Sequence, residues 1–176
     1  MAEPTLEVQP LTPDRWDDLA VLFDRPGDAR GCWCMYWRVR GREFDRLGGQ
    51  GARAAFQEVV AAGPPPGLLA YRDGRPVGWC AVAPRETYPR ILRSRVVRPV
   101  DDLPSYWAIV CFYVERGERR GGVAAGRRHA NEMFVGSVPM FRRAGFEEVG
   151  RRSPTRPIVR RVLSGRGGPG GRGGSR

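Results

Sequence analysis

At 176 residues the chain is long enough for one domain with its own core. Its net charge is +11 and all 30 of its Lys-plus-Arg residues are arginine, so anionic partners have to be weighed: a phosphorylated cofactor, a membrane surface or nucleic acid. Abundant Arg, Gly, Ala and Pro without a single Lys also follows from high-GC coding of bacterial type, and nucleic acid is therefore not the expected partner. The longest apolar run, 106–114, is too short to span a bilayer, and residues 1–10 lack a basic-then-apolar leader pattern. The expectation is a cytoplasmic protein without membrane contact.

In chain order, residues 6–11 alternate as a first strand. Thr12 followed by Pro13 predicts a helix start, with Trp16, Leu19, Ala20 and Phe23 on one apolar face. Residues 31–38 (GCWCMYWR) concentrate Trp33, Tyr36 and Trp37 around two cysteines. They read equally well as core packing or as the wall of a binding pocket. A second helix is predicted over 50–62, with Ala52, Phe56, Val59 and Val60 inward, and Gly63 and three prolines stop it. Strands are predicted at 67–72 and 76–83, joined through the hairpin signal Asp73-Gly74. The proline-rich stretch 85–104 reads as a long surface connection. Residues 106–114 (YWAIVCFYV) read as a central strand buried on both faces. A helix at 137–144 ending at Gly145, then strands at 146–151 and 158–163, complete the domain.

Cysteines stand at 32, 34, 80 and 111. Reduced thiols are expected, the C-x-C spacing is not that of common zinc sites, and one histidine, His129, cannot build a His-rich centre. No metal is expected. Cys80 and Cys111 read as small hydrophobes within strands.

The run 106–114 enters an Arg/Gly loop: Glu115, Arg116, Gly117, Glu118, Arg119, Arg120, Gly121, Gly122, Val123, Ala124. A strand passing through glycines into a helix start presents free N–H groups to an anion, and arginines add charge complementarity to a pyrophosphate. From spacing alone this is as readily a basic turn.

Arg119-Arg120-Gly121-Gly122-Val123-Ala124 resembles the R-x-x-G-x-A form of the acyl-CoA-binding motif of the GNAT N-acetyltransferase family. The hairpin over 68–83 resembles the family's second and third strands. Met140 to Phe146 (MFRRAGF) resembles its C-terminal helix-to-strand junction. The resemblance covers roughly residues 6–163. It implies an α/β fold with an α+β-like mixed sheet, the GNAT acyl-CoA N-acyltransferase fold, over residues 1–163, followed by a disordered Gly/Arg-rich tail at 164–176. It implies transfer of an acetyl group from acetyl-CoA to an amine, on a small molecule or a peptide, by direct attack. Main-chain groups of Phe112, Tyr113 and Val114 would meet the pantetheine arm. Arg119, Arg120, Gly121, Gly122, Val123 and Ala124 would wrap the pyrophosphate.

The pattern departs from the family in two places. Only about fifteen residues separate Ala124 from Met140, too few for a long helix plus a return strand. The expectation is an internal deletion that removes most of that helix and the strand after the phosphate loop. The position where many family members carry an acidic tyrosine appears here as Phe141. That leaves Glu115 and Tyr113 as the catalytic candidates. The alternative is a non-catalytic module of the same ancestry, acting through a partner or a nucleic-acid-binding basic surface. A homodimer is compatible with either reading.

Overall fold

The computed structural model describes residues 5–24, 31–119 and 137–163. Residues 120–136, with Arg120 to Ala124 and His129, and the tail from 164 lie outside them. The described residues form a mixed α and β structure around an antiparallel sheet. Strands β1 (Leu6–Pro10), β2 (Gly67–Arg72), β3 (Arg75–Pro84) and β4 (Trp107–Val114) lie in the order β1-β2-β3-β4. A separate hairpin pairs β5 (Glu147–Arg151) with β6 (Pro157–Arg160). The helices are α1 (Trp16–Phe23), α2 (Gly41–Ala62), α3 (Pro89–Arg93) and α4 (Val138–Arg143).

Local chemistry accounts for the sheet's core. At the β2–β3 turn Asp73 and Gly74 both have positive φ, 50° and 74°, the backbone that a two-residue hairpin with right-twisted arms demands. Beyond a bulge at Ala70/Tyr71, β3 pairs with β2, and β4 then pairs with β3 through Gly78↔Val114, Trp79↔Tyr113, Cys80↔Phe112 and Ala81↔Cys111. Alternation places Leu69, Tyr71, Trp79, Ala81, Ala83 and Tyr113 on one face, where all six are buried. Against that face lie Leu19, Leu22 and Phe23 of α1 and Ala52, Phe56 and Val60 of α2, spaced by four residues so that they share one side of the helix. Aromatic rings dominate the join. Trp33 stacks on Trp16 at 5.6 Å, and Trp79 meets Phe56 edge-on at 6.0 Å.

Five expectations are corrected. The helix expected over 50–62 begins at Gly41 and bends at Gly48, whose φ of 59° and ψ of −175° break the helical ladder. Mixed polarity ahead of the bend hides the first turns from a periodicity reading. Thr12 does not cap α1. Residues Pro13–Arg15 form a 3-10 turn first, and the Thr12 hydroxyl accepts a hydrogen bond from Arg15 at 2.7 Å. The stretch 85–104 is more than a surface connection. It contains α3, whose start carries the fully buried Tyr88 and which buries Ile91 in the main core. Next, β4 is the last strand of its sheet among the described residues, and Trp107 is 62% exposed. An unbroken apolar run reports the absence of charge and does not report how many neighbours a strand has. The sheet expected to be mixed is antiparallel in every pairing among the described residues. Among those residues no helix is long and apolar enough to cross a membrane.

Candidate functional site

The candidate site is the C-terminal half of β4 and the turn that follows. Glu115 donates its backbone N–H to the Val77 carbonyl at 2.9 Å, so at that position the ladder with β3 is closed. Strand groups alternate in direction. The N–H and C=O of Tyr113 therefore point toward β3, and those of Phe112 and Val114 point to the opposite edge. Among the described residues no strand occupies that edge. The Val114 carbonyl confirms the direction, because it accepts a hydrogen bond from Arg119 Nε at 2.9 Å. A bulge between Ala81 and Val82 sits in the same pair of strands and locally increases the twist of the edge.

A 3-10 turn, Arg116–Glu118, carries the chain off β4 to Arg119. Three ion pairs fix this turn to the β2–β3 hairpin: Arg75–Glu115 at 2.5 Å, Arg75–Glu118 at 2.6 Å and Arg72–Glu118 at 2.8 Å. Both glutamate side chains are largely shielded, at 19% and 13% exposure, so the network is worth more than an isolated surface pair. Sequence reasoning passed over Arg72 and Arg75. They flank Asp73-Gly74 in the sequence, but only the pairing of β3 with β4 brings the turn after β4 to them.

The candidate residues separate. Phe112 and Val114 turn their main-chain groups to the edge that no strand occupies among the described residues, the Val114 carbonyl being taken by Arg119. The Phe112 ring packs edge-on against Phe141 of α4 at 5.8 Å, on the sheet face away from α1. Tyr113 turns to the α1 face, 8% exposed, with its ring edge-on to Phe23 at 5.9 Å. Glu115 accepts a hydrogen bond from Arg75. Arg119 is tethered through Nε, and its terminal nitrogens remain beyond that bond. Arg120, Gly121, Gly122, Val123 and Ala124 lie outside the described residues.

The aromatic stretch 31–38 divides between the two roles it could hold. Trp33 is buried among Trp16 and Phe23. Tyr36 and Trp37 instead line an open recess of about 360 Å³ with Arg40, Arg90 and Arg93. The Arg90 guanidinium lies 3.7 Å from the centre of the Tyr36 ring, a cation–π contact. Among the described residues no group of three or more His, Cys, Asp or Glu is arranged to hold a metal.

No family model matches the chain, and no curated protein or solved structure matches it either.

Proposed function

We propose that this chain is a GNAT-type N-acetyltransferase that takes an acetyl group from acetyl-CoA and gives it to an amine. One observation carries the reading: the edge of β4 away from β3 presents the main-chain groups of Phe112 and Val114, and the strand then runs into a braced turn ending in Arg119. Pantothenyl amides are short extended chains with their own N–H and C=O groups. A strand edge without a neighbouring strand, as β4 has among the described residues, is what such a chain pairs with, by the same physics as strand addition. Arg119 and the arginine and glycines after it in sequence supply the charge and close backbone approach for a pyrophosphate.

The chain contributes chiefly positioning. The thioester carbon would be held at the edge of β4, and the recess lined by Tyr36 and Trp37 is the candidate acceptor wall. Of the two candidates for proton transfer, Glu115 follows β4 directly but its carboxylate is held by Arg75. The Tyr113 hydroxyl belongs to a ring packed in the core.

Isothermal titration with acetyl-CoA tests the proposal. The wild type is expected to bind one equivalent with a micromolar Kd, and Arg119→Ala to weaken binding about tenfold, the loss of one charge-assisted hydrogen bond of ~1.5 kcal/mol. A folded protein that gives no heat with acetyl-CoA would instead mark a non-catalytic module of the same ancestry. The shortness of the sequence between Ala124 and Met140 favours that second reading.

A further inference from the structure

Cys34 is 5% exposed and carries three features that a structural thiol does not need. The first is its partners. The Trp79 indole Nε1–H, which can only donate, donates to Cys34 Sγ at 3.1 Å. Cys111 is its second hydrogen-bonding neighbour. The register explains how the two sulfurs meet. Trp79 and Ala81 share the face toward α1, Cys111 is the cross-strand partner of Ala81, and the stretch holding Cys34 packs on that face. A buried sulfur that receives an indole N–H is organised as an acceptor, which suits a thiolate.

The second feature is charge. Arg38 lies over the rings of Tyr88 and Phe56 at 4.9 and 5.7 Å, and its Nε is buried with no hydrogen-bond partner among the described residues. No carboxylate pairs with it among those residues. Its positive charge acts on Cys34 instead. The hydrogen bond from Cys111, with those of Trp79 and the charge of Arg38 in support, holds the Cys34 thiol below the ordinary thiol range against the opposing effect of burial. The same bond, with burial, pushes Cys111 well above that range. Cys80 faces the opposite side of the sheet, and burial pushes it up to about 12.

The third feature is backbone strain. Trp33 and Cys34 are consecutive residues with φ of 45° and 54°, the left-handed region that bulky side chains avoid. Strain of this kind gathers where a side chain must be held in one orientation.

We propose that Cys34 and Cys111 form a redox modification site, in which a hydroperoxide converts the two thiols into a disulfide that fastens the 31–40 segment to β4. The Cys34 thiolate attacks the distal oxygen of hydrogen peroxide. The O–O bond breaks, and the leaving hydroxide takes a proton to become water, giving a sulfenic acid. The Cys111 sulfur, losing its proton, then attacks the sulfenic sulfur, the S–S bond forms, and the sulfenic oxygen leaves as a second water. Two thiols are oxidised and one peroxide is reduced. The bond would lock together β4, whose edge is the candidate acyl-CoA site, and the segment that carries Tyr36 and Trp37.

Mapping the linkage tests this without any variant. The reduced full-length chain is exposed to a few equivalents of hydrogen peroxide. Remaining thiols are then alkylated in denaturant, and the digested protein is read by tandem mass spectrometry. The expected result is a peptide pair joined through Cys34 and Cys111, loss of two of the four thiols, and full recovery with dithiothreitol. Cys34→Ser and Cys111→Ser should each abolish the pair, and Cys32→Ala and Cys80→Ala should leave it. A bond that joins Cys32 to Cys34, or one that uses Cys80, overturns the proposal. So does survival of all four thiols at a dose that fully oxidises free cysteine.

Discussion

A side chain at residue 67 would have nowhere to go. A Cβ built on Gly67 would lie 2.3 Å from the Cys80 carbonyl oxygen and 2.4 Å from the Trp79 ring, both fixed parts of the sheet and its core. Overpacking against such atoms costs about 3 kcal/mol. Gly67→Ala is expected to lower stability in urea by that order, while Gly74→Ala, with open space around its Cβ, should show only the cost of its positive φ. Tyr71 gives a second test. Burial raises its pKa first, and the 2.6 Å hydrogen bond that it donates to Asp18, with the charges of Asp18 and Asp14, raises it further against a smaller opposing effect of Arg15. The native state thus keeps a proton that the unfolded chain releases near pH 10, the ordinary tyrosine value. This contribution is complete below pH 10 and is lost as pH rises from there toward the higher folded value. Urea midpoints should fall with rising pH above 10, and Tyr71→Phe should make the fall shallower. An equally steep fall in the variant would place the effect elsewhere.

Among the elements, α3 does more than its five residues promise. Tyr88 precedes it, fully buried, and Arg38 lies over its ring. Truncation by Tyr88→Ala should cost about 3–5 kcal/mol, as for other large buried aromatics, and should expose the Arg38 guanidinium. Thermal unfolding monitored by tryptophan fluorescence would measure it. A loss under 1 kcal/mol would show that 85–104 is a mere connection after all. The hairpin, α1 and α4 were legible in the sequence because their signals are local: Asp73-Gly74, the apolar spacing from Trp16, and the stop at Gly145. The anchoring of 85–104 was not legible. Proline and charge dominate its composition, and one buried tyrosine carries its tertiary role. The bend at Gly48 was hidden in the same way, because a glycine followed by another glycine gives a helix no hydrophobic period to read.

For the molecule as a whole, the candidate site was partly legible. Arg119 and the strand before it stand in order in the sequence, but strand count and pairing are non-local, and no period in 106–114 distinguishes a central strand from an edge. The ion pairs of Arg72 and Arg75 with the turn after β4 depend on the same pairing and were invisible for the same reason. The central claim is that the edge of β4 away from β3, at Phe112 and Val114, receives the pantetheine arm. Residue-resolved amide hydrogen exchange tests it most directly. In the free protein Phe112 and Val114 should exchange fast, and Tyr113 and Glu115, which face β3, should exchange slowly. Saturating acetyl-CoA should slow Phe112 and Val114 by at least about tenfold and leave the other two unchanged, since a hydrogen bond of ~1.4 kcal/mol corresponds to that factor. Exchange at Phe112 and Val114 that is unaltered by saturating acetyl-CoA would contradict the account.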